Sequence, residues 1–324
     1  MLLNQNIKIW LITLLSLVFV ELSSLSAQTQ TDVQYSSFPV GLGARAAGFA
    51  DGYVADAYDI NSMYWNPGAL VYIEHPWFVL NHRQERYGDN EAKNDNGEDK
   101  YVHSMIENIA LPLHINKDEI IGLGMSVTHV GYIGRREKMD FRVIQYGYDI
   151  AYAREIIPTL SLGALINVQY AKSQISSLWA FASSFGVFYS PSPEFTYGAS
   201  LHGIGNGILY TSNHTTTTLT SERLHQSIQA GITLRFPPEG ERQTFTLSVA
   251  NEKKFGETGI RYMGGVEVLP IEYIALRGGY YVTNNWAAAR FGIGFKYSEF
   301  QLDIAVSPSK LTDQAFQTSI AVRF

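Results

Sequence analysis

From Leu70 to its last residue the chain alternates. Between Trp286 and Tyr297, the residues Ala287, Ala289, Phe291, Ile293, Phe295 and Tyr297 share one face, and Ala288, Arg290, Gly292, Gly294 and Lys296 share the other. Phe300 to Val306 and Phe316 to Phe324 repeat the pattern, as do Ile121 to Val127, Leu160 to Tyr170 and Ile228 to Phe236. A two-residue period sends successive side chains to opposite sides of a strand, so these segments read as strands with one apolar and one wet face. The wet face is small or polar, as in Gly122, Gly124, Ser126, Ser161, Gly163, Asn167, Gln229 and Thr233. Strands of a soluble sandwich average about 5–6 residues, whereas several segments here run near ~10, the length that crosses a bilayer at a tilt. Aromatic residues near the strand ends fit the girdles of membrane barrels.

The connections carry a second signal. About 14 strands fit after Leu70, an even number as bacterial barrels require. Odd-numbered connections are the long ones: Gln84 to Lys100, Gly131 to Asp140 and Gly203 to Glu222. Even-numbered ones are tight, at Asn116 to Glu119, Pro158, Ser190 to Glu194, Pro237 to Glu241, Leu269 to Glu272 and Ser298-Glu299, with the turn at Pro158 closing the fourth. Both chain ends then lie on the short-turn side, and Val322-Arg323-Phe324 stops inside a strand. The expected fold is all-β, a transmembrane barrel of about 14 antiparallel strands. Charged residues make up 17% of the chain, below the ~25% of soluble domains. The net charge of -6 argues against a nucleic-acid partner. With no cysteine there are no disulfides and no thiolate metal sites.

Met1 to Ala27 reads as a signal peptide. Lys8 supplies the positive end, Ile9 to Val20 is an apolar run of 12 residues, and Ala27 suits the position before the cut. Such a run is short for a membrane helix of about 20 residues. The expected location is the outer membrane of a Gram-negative bacterium.

Before the strands lies Val40 to Leu70, rich in small residues and following neither strand nor sustained helical spacing. It ends in Tyr64-Trp65-Asn66-Pro67-Gly68, where proline fixes φ and Gly68 tolerates a turn. A compact segment ahead of a barrel reads as a plug in its lumen, giving a hatch over residues 28–70 and a barrel over 71–324. An arm packed on a sandwich is the alternative. If the alternation is read correctly, Arg235, Arg290, Lys296, Asp303 and Arg323 face the lumen. They form either an ion-pair network holding the plug or a ligand path.

Gly43-Ala44-Arg45-Ala46-Ala47-Gly48, then Val54-Ala55-Asp56-Ala57 with Asp59, then Tyr64-Trp65-Asn66-Pro67-Gly68-Ala69-Leu70 resembles the N-terminal signature of the PorV/PorQ family. That family is itself similar to FadL-type fatty-acid transporters. Gly68 stands where the family has alanine. The resemblance implies a lumenal hatch built on Gly43, Ala44, Arg45, Ala46, Gly48, Asp59, Tyr64, Trp65, Asn66, Pro67 and Gly68. It further implies an outer-membrane component of the type IX secretion system that handles secreted protein at the cell surface. The alternative is a FadL-like transporter of hydrophobic small molecules such as long-chain fatty acids. Partners on these readings are outer-membrane lipid, another outer-membrane or secreted protein, or a hydrophobic small molecule.

Other chemistry fares poorly. Gly41-x-Gly43 with Gly48 has the wrong spacing for a dinucleotide fingerprint. The eight histidines are scattered, and no nucleophile elbow occurs. No catalytic residue, metal ligand or cofactor is expected. The acidic run from Glu85 to Asp99 reads as a solvated loop. Gly203-Ile204-Gly205-Asn206-Gly207 reads as the start of a long loop, or as a bulge that opens the wall.

Overall fold

The computed structural model describes residues 41–56, 58–73, 77–93, 99–133, 139–172, 176–212, 218–220, 224, 226–237, 244–284, 287–307 and 314–323. The expected signal peptide, the hatch residues before Gly41, and Phe324 lie outside the described residues.

The strands are β1 (Trp77–Lys93), β2 (Asp99–Asn116), β3 (Glu119–Ile133), β4 (Met139–Ile157) and β5 (Leu160–Lys172). Next come β6 (Ser176–Ser192), β7 (Phe195–Ser212), the three-residue β8 (Thr218–Thr220), β9 (Ser227–Phe236) and β10 (Phe245–Lys254). The chain closes with β11 (Arg261–Ile271), β12 (Ile274–Val282), β13 (Ala287–Tyr297), β14 (Phe300–Ser307) and β15 (Gln314–Arg323). Each strand pairs antiparallel with its neighbours, β9 takes its place beside β7, and β8 pairs with β7 alone. Pairing of β1 with β15, from Trp77–Arg323 to Arg86–Gln314, completes a closed barrel of 14 strands. A closed barrel leaves no open sheet edge, which is what a strand-built membrane crossing requires.

Outward positions carry the apolar set. Ile150, Ile166, Val249 and Phe291 are each more than half exposed on the outer face. At the short-turn end Tyr189 and Tyr197, Phe236 and Phe245, and Tyr273 and Tyr297 form neighbouring ring pairs, one girdle of a membrane barrel. Among the described residues no helix is long and apolar enough to cross a membrane.

Three expected loops are shorter than the sequence implied. β1 runs to Lys93 and β2 starts at Asp99, so most of Gln84 to Lys100 is strand. Likewise β3 reaches Ile133 and β4 begins at Met139. Gly203 to Gly207 lies inside β7 instead of starting a loop. The reason is physical: beyond the bilayer both faces of a strand meet water, so alternation stops marking it and polar, glycine-rich stretches still pair. The bulge itself is present, without an opening of the wall there: β7 shifts register against β6 between Trp179 and Phe181 and again between Ser183 and Phe185, pairing resumes on either side, and Gly203 has φ +75°.

The hatch occupies the lumen. It contains the short helix α1 (Ala44–Gly48), the single turn α2 (Ser62–Trp65) and a 3-10 helix, Pro67–Tyr72. It therefore extends past Leu70. Asn66 sits in an extended conformation before Pro67, as a residue preceding proline prefers, and its side-chain oxygen accepts from the Gly68 amide at 3.1 Å. Leu42, Phe49, Ile60, Met63, Trp65 and Leu70 are fully or almost fully buried.

Candidate functional site

The small wet face of the wall is the seat of the hatch. A Cβ added at Gly186 would strike the Asn66 side-chain oxygen, and one at Gly163 would strike the Pro67 carbonyl group. One at Gly198 would strike the Val54 carbonyl oxygen, and at Gly265 and Gly279 it would meet the Phe49 backbone at 2.6 Å. These glycines pair across strands, Gly163 with Gly186, Gly198 with Gly231 and Gly265 with Gly279. The wall thus carries a shallow groove into which the hatch backbone fits directly. Hydroxyls on the same face bond that backbone: Ser161 Oγ donates to the Gly68 carbonyl at 2.6 Å, Thr196 Oγ1 to Ala55 at 2.7 Å and Ser248 Oγ to Gly52 at 2.5 Å. The Asn66 amide donates to the Val54 and Val187 carbonyls, each at 2.9 Å. One side chain so ties two parts of the hatch to the wall.

Charge gathers toward β9–β14. Arg45, 4% exposed, reaches Asp56 Oδ2 at 2.8 Å and grips Glu267 through Nε at 3.2 Å and Nη2 at 3.0 Å. Glu267 also receives Arg277 Nε at 2.5 Å, and Arg277 Nη1 bonds Asp303 at 2.6 Å. Arg235 bonds Asp56 at 2.6 Å. Asp51 stands in the left-handed region (φ 70°), which aspartate tolerates better than most residues. From there its two oxygens take Arg261 and Arg290, each at 2.7 Å. Burial alone would push the Asp51 carboxyl up, but Arg290 and Arg261 outweigh it and hold the pKa below the usual carboxylate range. Asp59 goes the other way. Burial raises it, with Asp303 and Asp56 adding to the rise against the pull of Arg45, to about 6.

Of the lumen-facing candidates, Arg235, Arg290 and Asp303 join this network. Lys296 is exposed and lines a cavity of about 220 Å³ at the short-turn end, together with Arg45, Tyr58, Glu267 and Asp303. Arg323 sits apart at the barrel seam, 3.8 Å from Glu299. In the hatch, Gly43 (φ 102°) precedes α1, Ala44 donates its amide to Ser319 at 2.8 Å, and Ala46 and Gly48 are buried. Tyr64 donates to Asp149 at 3.2 Å, and the Trp65 indole to the Leu42 carbonyl at 3.0 Å. Sequence reasoning passed over Asp51, Glu267, Arg261 and Arg277. Glu267 and Arg277 do carry a signal, since each alternates with apolar neighbours such as Val266, Val268 and Leu276.

The architecture has solved counterparts. The toluene transporter TbuX of Ralstonia pickettii superposes with a TM-score of 0.65 at 12% identity, over 88% of this chain and 99% of the other. The CymD monoaromatic hydrocarbon channel gives 0.64 at 13% identity, over 88% and 98%. A Pseudomonas aeruginosa FadL homologue gives 0.60 at 12% identity, over 89% and 100%. This is the FadL-type barrel fold. By sequence the chain matches no family model and no curated protein. The PorV/PorQ resemblance accordingly rests on the hatch motif alone, and the likeness in fold is to FadL-type barrels.

Proposed function

We propose that the protein is an outer-membrane conduit for hydrophobic small molecules, with its hatch closing the lumen. The observation that carries this reading is the FadL-type barrel shared over 88% of the chain with a monoaromatic hydrocarbon channel and a toluene transporter, joined to a lumen filled at hatch level. An open aqueous pore is a poor fit to a wall grooved for the hatch backbone. The reading includes export to the outer membrane behind a signal peptide cleaved near Ala27. On this view the hatch motif from Gly43 to Gly68 serves as a gate and not as a grip for secreted protein.

Uptake of radiolabelled toluene and of a long-chain fatty acid into proteoliposomes tests it, with protein-free vesicles as the control. Saturable entry of either compound supports the conduit. No entry of either, together with a stable protein partner on purification from detergent-solubilised membranes, would return the secretion reading to first place.

A further inference from the structure

The hatch is chemically split. Residues 60–73, Ile60-Asn-Ser-Met-Tyr-Trp-Asn-Pro-Gly-Ala-Leu-Val-Tyr-Ile73, contain no charged residue, whereas Arg45, Asp51, Asp56 and Asp59 all precede them. The ion pairs follow the split, since Arg45, Asp51 and Asp56 reach Glu267, Arg261, Arg290 and Arg235 on β9–β13. Apolar packing is found on both sides: Ile60, Met63, Leu70 and Ile73 share a cluster with Val79, Ala110, Ile120, Ala151, Ala153 and Leu165 of β1–β5, which also takes in Phe49 and Tyr53, and Ala50 and Val54 pack on Ala250 and Met263. Hydrogen bonds across that interface include Asn81 to Asn61 at 2.6 Å, Asn108 to Tyr64 at 2.8 Å, Ser161 to the Gly68 carbonyl at 2.6 Å, His114 with the Ile73 carbonyl at 2.7 Å and Tyr64 to Asp149 at 3.2 Å, and none of them is an ion pair with the hatch. Among the described residues Asp149, 1% exposed, has no cationic partner; it is held by Tyr64 and Asn167.

We propose that molecules pass the hatch along this apolar seam, between residues 60–73 and the inner face of β1–β5, while residues 44–56 stay fixed to β9–β14. The proposal rests on the conduit reading. An apolar molecule sliding into the seam replaces apolar contacts with apolar contacts and breaks a few hydrogen bonds, a smaller loss than a buried ion pair broken by halves. It has nothing to offer the ion pairs on the other side, which would be left buried and unpaired. The lone Asp149 carboxylate sets the class of molecule: an anion would approach a like charge in a low-dielectric site, so the seam takes uncharged hydrophobic molecules.

The chain has no cysteine, so introduced pairs report cleanly. Met63→Cys with Gly122→Cys, bridged by a short bis-methanethiosulfonate, bolts the seam, since the Met63 side chain reaches to 3.0 Å from a Cβ placed at Gly122. Ala47→Cys with Ala305→Cys bolts the charged side, where both alanines share a cluster. Cross-linking the first pair is expected to cut toluene entry at least tenfold, reversed by reductant, and cross-linking the second to change it less than twofold. The opposite ranking overturns the proposal, as does equal entry of toluene and octanoate through the unaltered protein. Hydrogen exchange in nanodiscs, which needs no transport, reads the same split. Amides of residues 60–73 should exchange at least tenfold faster than those of 44–56, and equal or reversed rates sink the seam. If toluene never enters at all, the conduit reading fails, while exchange still decides which part of the hatch yields.

Discussion

The hatch meets the two halves of its wall in opposite ways. Toward β9–β14 it presents Arg45, Asp51 and Asp56 to Glu267, Arg261, Arg290 and Arg235, all as close ion pairs. Toward β1–β6 it presents aliphatic side chains, amides and one tyrosine hydroxyl and no ion pair, although glycine seats and apolar packing occur on both sides. The strands differ too: β2 and β4 have 18 and 19 residues, β12 and β14 only 9 and 8. Two ways of holding one segment teach a general point. Ion pairs buried in a lumen are specific and costly to break by halves, because the surviving charge has no water to turn to. Apolar contacts are worth as much in sum but let another apolar surface take their place.

The largest expected effect follows directly. Glu267→Gln leaves Arg45 and Arg277 short of a shared carboxylate in a largely buried site and should cost about 3–5 kcal/mol. Asp149→Asn, on the other side, removes a charge with no cation beside it and should cost less than about 1 kcal/mol. The temperature at which the folded band shifts in a heat-modifiability gel measures both. Equal losses would erase the distinction between the two sides. Next comes the seat itself. Gly186→Ala drives a methyl group into the Asn66 oxygen and should cost about 1–3 kcal/mol, as overpacking does. Asn66→Ala removes the donor to the Val54 and Val187 carbonyls and should cost about 1–3 kcal/mol. Because Asn66 and Gly186 touch, the double variant should cost less than the sum. Full additivity would show that Asn66 is not held against that glycine.

Much of the barrel was legible because the bilayer enforces a rule the sequence must obey. Ala288, Arg290, Gly292 and Gly294 alternate with Ala289, Phe291 and Ile293 since one face meets lipid and the other the lumen. Strand ends above the bilayer were not legible, as β1 and β7 show, because there the rule lapses. The hatch was legible as a unit through its small residues and Asn-Pro turn, but not its partners. Asp51 was missed because nothing local marks it; its role comes from Arg261 and Arg290, more than two hundred residues away. The wall glycines were read as merely small. Their meaning, close approach of a second backbone, exists only once the hatch is in place.

The smallest predicted effect probes the border between the two sides. Asp59 follows the last ion-paired residue of the hatch, Asp56, and precedes the uncharged run. Its oxygen accepts from the Asn61 amide at 3.0 Å. Its folded pKa, raised to about 6, lies above the ~3.9 of an unfolded chain, so the folded state binds the proton more tightly. Stability from this group is therefore present below about pH 4 and lost as pH rises through about 6. Asp59→Asn keeps the acceptor oxygen and removes the ionisation, so above pH 6 the variant should be more stable by about 1 kcal/mol once solvent screening is allowed for. Below about pH 4 the two proteins should unfold together. Asp51 supplies the internal contrast, because its lowered pKa gives stability that is present at neutral pH and lost on acidification. A variant whose advantage instead grew toward low pH would place Asp59 with Asp51 among the ion-paired carboxylates, and the border between the two kinds of contact would then lie beyond residue 59.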